Sequence, residues 1–146
     1  MRKAATVIAA AAGVAVVVNL AIYAVGRAAG GSFRFTGNGV VNEVDAATVA
    51  GFTAVPLLIG LVLVALLSRF GGWVTRTAVV VAPVLAVVTI FVMTIPADLD
   101  TASTVTLALA HLVLAPISVL AVRALARTPR HDDAAPAELS RAQNEA

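Results

Sequence analysis

The chain of 146 residues is 60% hydrophobic and 12% charged, with a mean hydropathy of +0.98 and a formal net charge of +2. A soluble domain averages about 25% charged residues, so this chain lacks the polar surface to hold its apolar content in water. It has no cysteine, which excludes disulfides, thiolate metal sites and thiol nucleophiles, and so small a net charge gives no basis for nucleic-acid binding.

Four apolar runs dominate the sequence: 4–25, 46–67, 74–95 and 101–122, each about 22 residues long. A hydrocarbon core of about 30 Å takes about 20 helical residues, so each run is long enough to span a bilayer. The expected fold is an all-α membrane protein of four antiparallel transmembrane helices, one domain over 1–127. The first run follows Met1-Arg2-Lys3, which fits the start of a signal peptide. Its apolar stretch exceeds the usual 7–15 residues of such a segment, so a retained helix is expected.

The first connection, 26–45, is too long for a tight turn. Two β-prone stretches, Ser32–Thr36 and Val40–Val44, flank Gly37-Asn38-Gly39, the pattern of a β-hairpin. Because an isolated hairpin is marginal in water, this small β-prone loop is expected to dock on the helix ends, with Phe33 and Phe35 covered. Asp45 and Asp100 precede the second and fourth runs in N-cap position. The link Ser68–Trp73 is short, so helices 2 and 3 are predicted to be packed neighbours, as are helices 3 and 4 across Pro96–Asp100. Tyr23, Phe70 and Trp73 stand at run ends, where aromatics meet a membrane interface. The polar segment 128–146 cannot bury a core and is predicted to be a disordered cytoplasmic tail.

Basic residues set the orientation. Eight of the ten fall on one side (Arg2, Lys3, Arg69, Arg76, Arg123, Arg127, Arg130, Arg141), and two on the other (Arg27, Arg34). Both termini are therefore expected in the cytoplasm of a multi-pass cell-membrane protein, with the hairpin outside.

Inside the spans, polar residues are the candidate site. His111 lies mid-span in helix 4, where an ionisable group normally faces protein or a cavity. Helical spacing puts Thr104, His111 and Ser118 on one small, polar face, which predicts a hydrogen bond from His111 to another helix. Asn19, in the outer half of helix 1, needs a partner on a neighbouring helix. The span limits place it about 6 Å nearer the outside than His111. Pro56, Pro83 and Pro116 can each kink a span and expose a carbonyl. Small residues at four-residue spacing, Ala5-Ala9-Gly13 and Ala78-Ala82-Ala86, permit close helix approach.

Glu43, Asp45, Asp98 and Asp100 form a candidate acidic cluster at the outer mouth, for which capping and solvation are sufficient explanations. No spacing fits zinc, no glycine-rich loop is followed by a lysine and helix, and no serine has a base in triad pattern. No metal or other cofactor is expected, and no enzymatic activity.

Several segments carry a resemblance. An alanine/valine helix with a late asparagine leads to a Gly-Asn-Gly loop. A helix ends Leu66-Leu67-Ser68-Arg69-Phe70 and is followed by one opened by a tryptophan. The last span enters through Asp98–Thr104 and passes Leu109-Ala110-His111-Leu112-Val113. Over residues 5–126 this resembles a family of small four-helix membrane proteins from actinobacteria, classed as a domain of unknown function. The resemblance implies that His111 belongs to the family pattern, and it brings no activity. The long first outer loop and short second one are also similar to claudin-like tetraspan proteins, an analogy of fold alone. The expected function is a non-enzymatic protein of the cell envelope that binds a membrane partner, a lipid or another copy of itself. The alternative is a small transporter or channel component with a polar cavity near His111 and Asn19.

Overall fold

The computed structural model describes residues 2–127, so the tail expected to be disordered, 128–146, lies outside the described residues. The elements in chain order are α1 (Arg2–Ala28), β1 (Arg34–Gly37), β2 (Val40–Glu43), α2 (Ala46–Leu67), a 3-10 turn (Ser68–Phe70), α3 (Gly72–Thr89), a π turn (Ile90–Thr94) and α4 (Thr101–Ala126). With its flanking turns counted, each of the four helices is long and apolar enough to cross a membrane. Chemistry at their ends explains where they start and stop. Asp45 accepts from the Thr48 amide at 2.7 Å and Asp100 from the Ser103 amide at 2.9 Å, so each occupies the N-cap of the helix that follows. At the end of α3 the amide of Ile95 bonds the carbonyl of Ile90, one widened turn before Pro96 ends the helix.

The bundle has two ends. The start of α1, the α2–α3 link and the end of α4 share one, the termini end; the β-hairpin sits on the other. The helices pack in an open series. α2 lies on α1, α1 on α4, and α4 on α3, while α2 and α3 barely touch. Helices 2 and 3 are thus joined by their short link without being packed neighbours along their length. The link determines only where the two helices begin and end. Close approach needs small side chains, and these line the other seams: Ala12, Ala15 and Gly26 on α1, Ala110 and Ala121 on α4, all buried. At the termini end, Leu61, Ala121, Val122 and Leu125 form a core, covered by Val7, Ile8, Val64 and Ala78 among others.

Of the two small-residue stripes, Ala5-Ala9-Gly13 faces away from the bundle, and a side chain at Gly13 would meet nothing within 4 Å. The buried stripe of α1 is Ala12, Ala15, Asn19 and Gly26, rotated from the expected one by a residue. The alanine richness of α1 offers both faces to a spacing argument, and packing takes the one that carries the asparagine.

The hairpin forms as expected. β1 and β2 pair antiparallel from Arg34–Glu43 to Gly37–Val40. The turn residues Asn38 and Gly39 have φ of 52° and 77°, the pattern of a type I′ turn, which the Asn-Gly pair favours. Phe33 anchors the hairpin. Its ring is wholly buried, 4.7 Å from that of Tyr23 between centroids, and burying such a ring stabilises docking by about 2 kcal/mol. The space for it exists because Gly26 and Gly31 lack side chains: a Cβ on either would lie within 3.0 Å of the Phe33 ring.

Candidate functional site

Between α2 and α3 the open seam leaves a cleft of about 880 Å³. Its walls are mainly apolar, with Phe52, Leu57, Val81, Ala82, Leu85 and Ala86 among them, and its floor is formed by α1 and α4. The hairpin residues Phe35, Asn42, Glu43 and Val44 reach one end. At the other end the cleft narrows onto Leu61 and Val122 of the core. The stripe Ala78-Ala82-Ala86 lies along the α3 wall, where its small side chains leave room for the cleft.

Polar groups cluster on the floor. Asn19 is 2% exposed and donates from Nδ2 to Thr53 Oγ1 at 2.9 Å, tying α1 to α2. Its Oδ1 is buried without a partner. Turning the amide over would let the Thr53 hydroxyl donate to Oδ1 and strand the NH2 group instead, so either orientation leaves part of the amide unpaired. An unpaired buried polar group of this kind costs about 1–3 kcal/mol.

His111 lines the same cleft, half-buried. Its Nδ1 lies 2.7 Å from the carbonyl oxygen of Leu107, one turn back on its own helix. The expected bond to another helix is therefore replaced by a local one, to a carbonyl oxygen of the preceding turn. A carbonyl can only accept, so Nδ1 carries the proton. With the ring neutral, Nε2 is then a free acceptor.

Depth also differs from expectation. α1 continues to Ala28, and Gly26 packs directly on Thr106 of α4. Counting along antiparallel helices from that contact puts Asn19 level with position 113, two residues or about 3 Å from His111. The two groups thus share a level, with Asn19 the deeper one relative to the hairpin.

Ser118 lines the cleft too, but its hydroxyl donates to Ala115 O at 2.8 Å in its own helix. Thr104 is half-buried near the start of α4 and is not part of the cleft wall. The side chain of that region that meets another helix is Thr106, packed against Gly26, and its hydroxyl donates to Ala102 O at 2.6 Å in its own helix. Sequence reasoning missed Thr53 and Thr94, both 4% exposed and both on the cleft. The signal for Thr53 was present: it is the deepest hydroxyl of an otherwise apolar α2, and Asn19 needed a partner.

The four acids at the hairpin end do not converge on one point. Glu43 pairs with Arg27 at 3.0 Å and Arg34 at 3.6 Å. The hydroxyl and amide of Thr48 hold the Asp45 carboxyl below the usual carboxylate range. Asp98 accepts from the Thr36 amide at 2.6 Å, and that bond lowers it likewise. Asp100 accepts from Ser103 Oγ at 2.6 Å, Ser32 Oγ at 2.7 Å and the Ser32 amide at 2.9 Å, and these bonds hold it far below its ordinary value. Phe33 N donates to Ser103 Oγ at 2.8 Å, completing a latch between hairpin and α4. Among the described residues no group of three or more His, Cys, Asp or Glu is arranged to hold a metal ion.

Residues 1–128 match a family described as a family of unknown function, DUF6069. The chain belongs to this family. No curated protein and no solved structure matches it. The DUF6069 match takes in all four helices and the hairpin, so cleft, floor and latch all lie within the family region.

Proposed function

We propose that this protein is a non-enzymatic, multi-pass protein of the cell membrane, with both termini cytoplasmic, and that it accommodates a lipid from the bilayer in the α2–α3 cleft. The observation that carries the reading is the cleft itself: about 880 Å³, walled by apolar side chains and open between two membrane-length helices. That volume falls within the roughly 300–1,000 Å³ of small-molecule sites. A lipid fits better than a partner helix. Hairpin residues bound the cleft at one end and the Leu61–Val122 core at the other, so a guest shorter than a complete span is favoured. Eight of ten basic residues on the termini side support the orientation.

Transport is the second reading, favoured by the polar side chains Asn19, Thr53, His111 and Ser118 that all line the cleft. Purification in mild detergent followed by native mass spectrometry tests the first. Lipid adducts should accompany the wild type and decline in Ala82→Trp, which fills the cleft. A wild type free of adducts, or a variant that keeps them, contradicts lipid binding. An alkaline phosphatase fusion within Gly37–Gly39 should be active, and one active only at the C-terminus overturns the topology.

A further inference from the structure

We infer that the guest is a neutral amphiphile whose head donates hydrogen bonds, a long-chain alcohol in its simplest form, seated head-inward against Asn19 and His111. This inference rests on the lipid-binding reading of the cleft and adds the chemical class of the guest.

Three observations lead to it. First, the floor offers acceptors. Asn19 Oδ1 is buried in a side chain 2% exposed and has no partner. The proton of His111 is committed to Leu107 O through Nδ1, which leaves Nε2 as an acceptor. Both residues line the cleft. With the Asn19 amide turned so that Nδ2 donates to Thr53, two acceptors stand at one level of an apolar cleft and select a head with a hydrogen to donate.

Second, the floor holds no lysine, arginine or carboxylate. The basic side chains lie at the two ends of the bundle: Arg2, Lys3, Arg69, Arg76, Arg123 and Arg127 at the termini end, Arg27 and Arg34 by the hairpin. Arg27 is already paired with Glu43. A carboxylate or phosphate head would bring negative charge to the floor and further acceptors against those present, with no cation to meet it. An ammonium head would find no carboxylate at that level.

Third, the walls are apolar from the floor to the seam between α2 and α3. A hydrocarbon chain can leave sideways into the bilayer while its head stays on the floor. The hairpin covers the axial exit, so entry is lateral.

The test uses the full chain in detergent with radiolabelled hexadecanol, competed by hexadecane and by palmitate. Hexadecanol should bind about tenfold more tightly than hexadecane, the scale of one good hydrogen bond inside a membrane protein. His111→Phe and Asn19→Val should each lower that ratio, and the double variant should bring it to one, while hexadecane binding stays in place, because the single hydroxyl hydrogen serves one acceptor at a time. Ala86→Trp, which fills the cleft, should remove both ligands. Should Asn19→Val fail to fold, the wild-type ratio and His111→Phe decide the matter. Equal binding of alcohol and alkane overturns the inference and leaves the lipid-binding reading intact, as a water trapped on the floor would produce. Palmitate binding above hexadecanol also overturns it, by showing that the floor prefers an anion. Failure of every probe, with Ala86→Trp indistinguishable from wild type, overturns the lipid-binding reading itself.

Discussion

The α1–α4 seam and the α2–α3 seam are both antiparallel helix pairs, yet one is closed and the other open. Across the closed seam Gly26 meets Thr106 so tightly that an added Cβ would collide with the threonine side chain. Across the open seam Gly60 lines the cleft, and an added Cβ would meet nothing within 4 Å. The helices of the closed seam are far apart in sequence, and those of the open seam are joined by a few residues. Helix approach in this bundle therefore does not follow proximity in the chain, nor the presence of small side chains alone, since Gly60, Ala78, Ala82 and Ala86 line the open seam without closing it. Without a hydrophobic drive between helices in lipid, close packing of small residues is the main attraction left. A seam that lacks it can stay apart.

The largest expected effect separates the two seams directly. Gly26→Val should destabilise the bundle by about 3 kcal/mol, since both the Thr106 and Phe33 side chains must move. Gly60→Val should leave thermal melting in detergent nearly unchanged. Equal losses in the two variants would mean that both seams are closed.

A smaller effect is expected at the floor. Thr53→Val removes the one hydrogen-bond partner that the Asn19 side chain has among the described residues, and should cost about 1 kcal/mol in the same melts. His111→Phe should cost less still, because the histidine bonds its own helix and ties no two helices together. A loss for His111→Phe as large as that for Thr53→Val would reveal an interhelical role.

The smallest effect concerns the hairpin latch. Asp98 and Asp100 have lowered pKa values in the folded state, so their contribution to docking is present above the ordinary carboxylate pKa. It is lost as pH falls through the lowered values. Amide exchange at Ser32, Phe33 and Thr36, corrected for intrinsic rates, should stay slow at pH 5 and quicken only in strong acid. Quickening between pH 7 and 5 would rule out these carboxylates as the latch.

Much of this architecture is legible in the residues. Length and apolarity reveal the helices, Asp45 and Asp100 mark two of their starts, and Asn38-Gly39 announces the hairpin turn. Asn19 signals that it needs a partner, although the residue it finds, Thr53, has to be read from the fold. The open seam is not legible, because short links imply neighbours and the packing preference of Ala-rich faces is degenerate in a chain with so much alanine. The local bond of His111 is also hidden: one-dimensional spacing shows which face a ring occupies and not which carbonyl its nitrogen reaches. The acids seem a cluster in sequence because they gather in two loops, while in space each is committed to a separate amide, hydroxyl or guanidinium.

Disulfide trapping along the α2–α3 seam tests the open cleft most directly, since a chain without cysteine allows any pair to be introduced cleanly. A bridge needs Cα atoms within about 7 Å. The pair Val64→Cys/Ala78→Cys, beside the shared core, should cross-link in membranes on oxidation, and Phe52→Cys/Ala86→Cys, on opposite cleft walls, should not. Efficient cross-linking of Phe52→Cys/Ala86→Cys would show that the two helices close on each other and that no cleft exists for a guest.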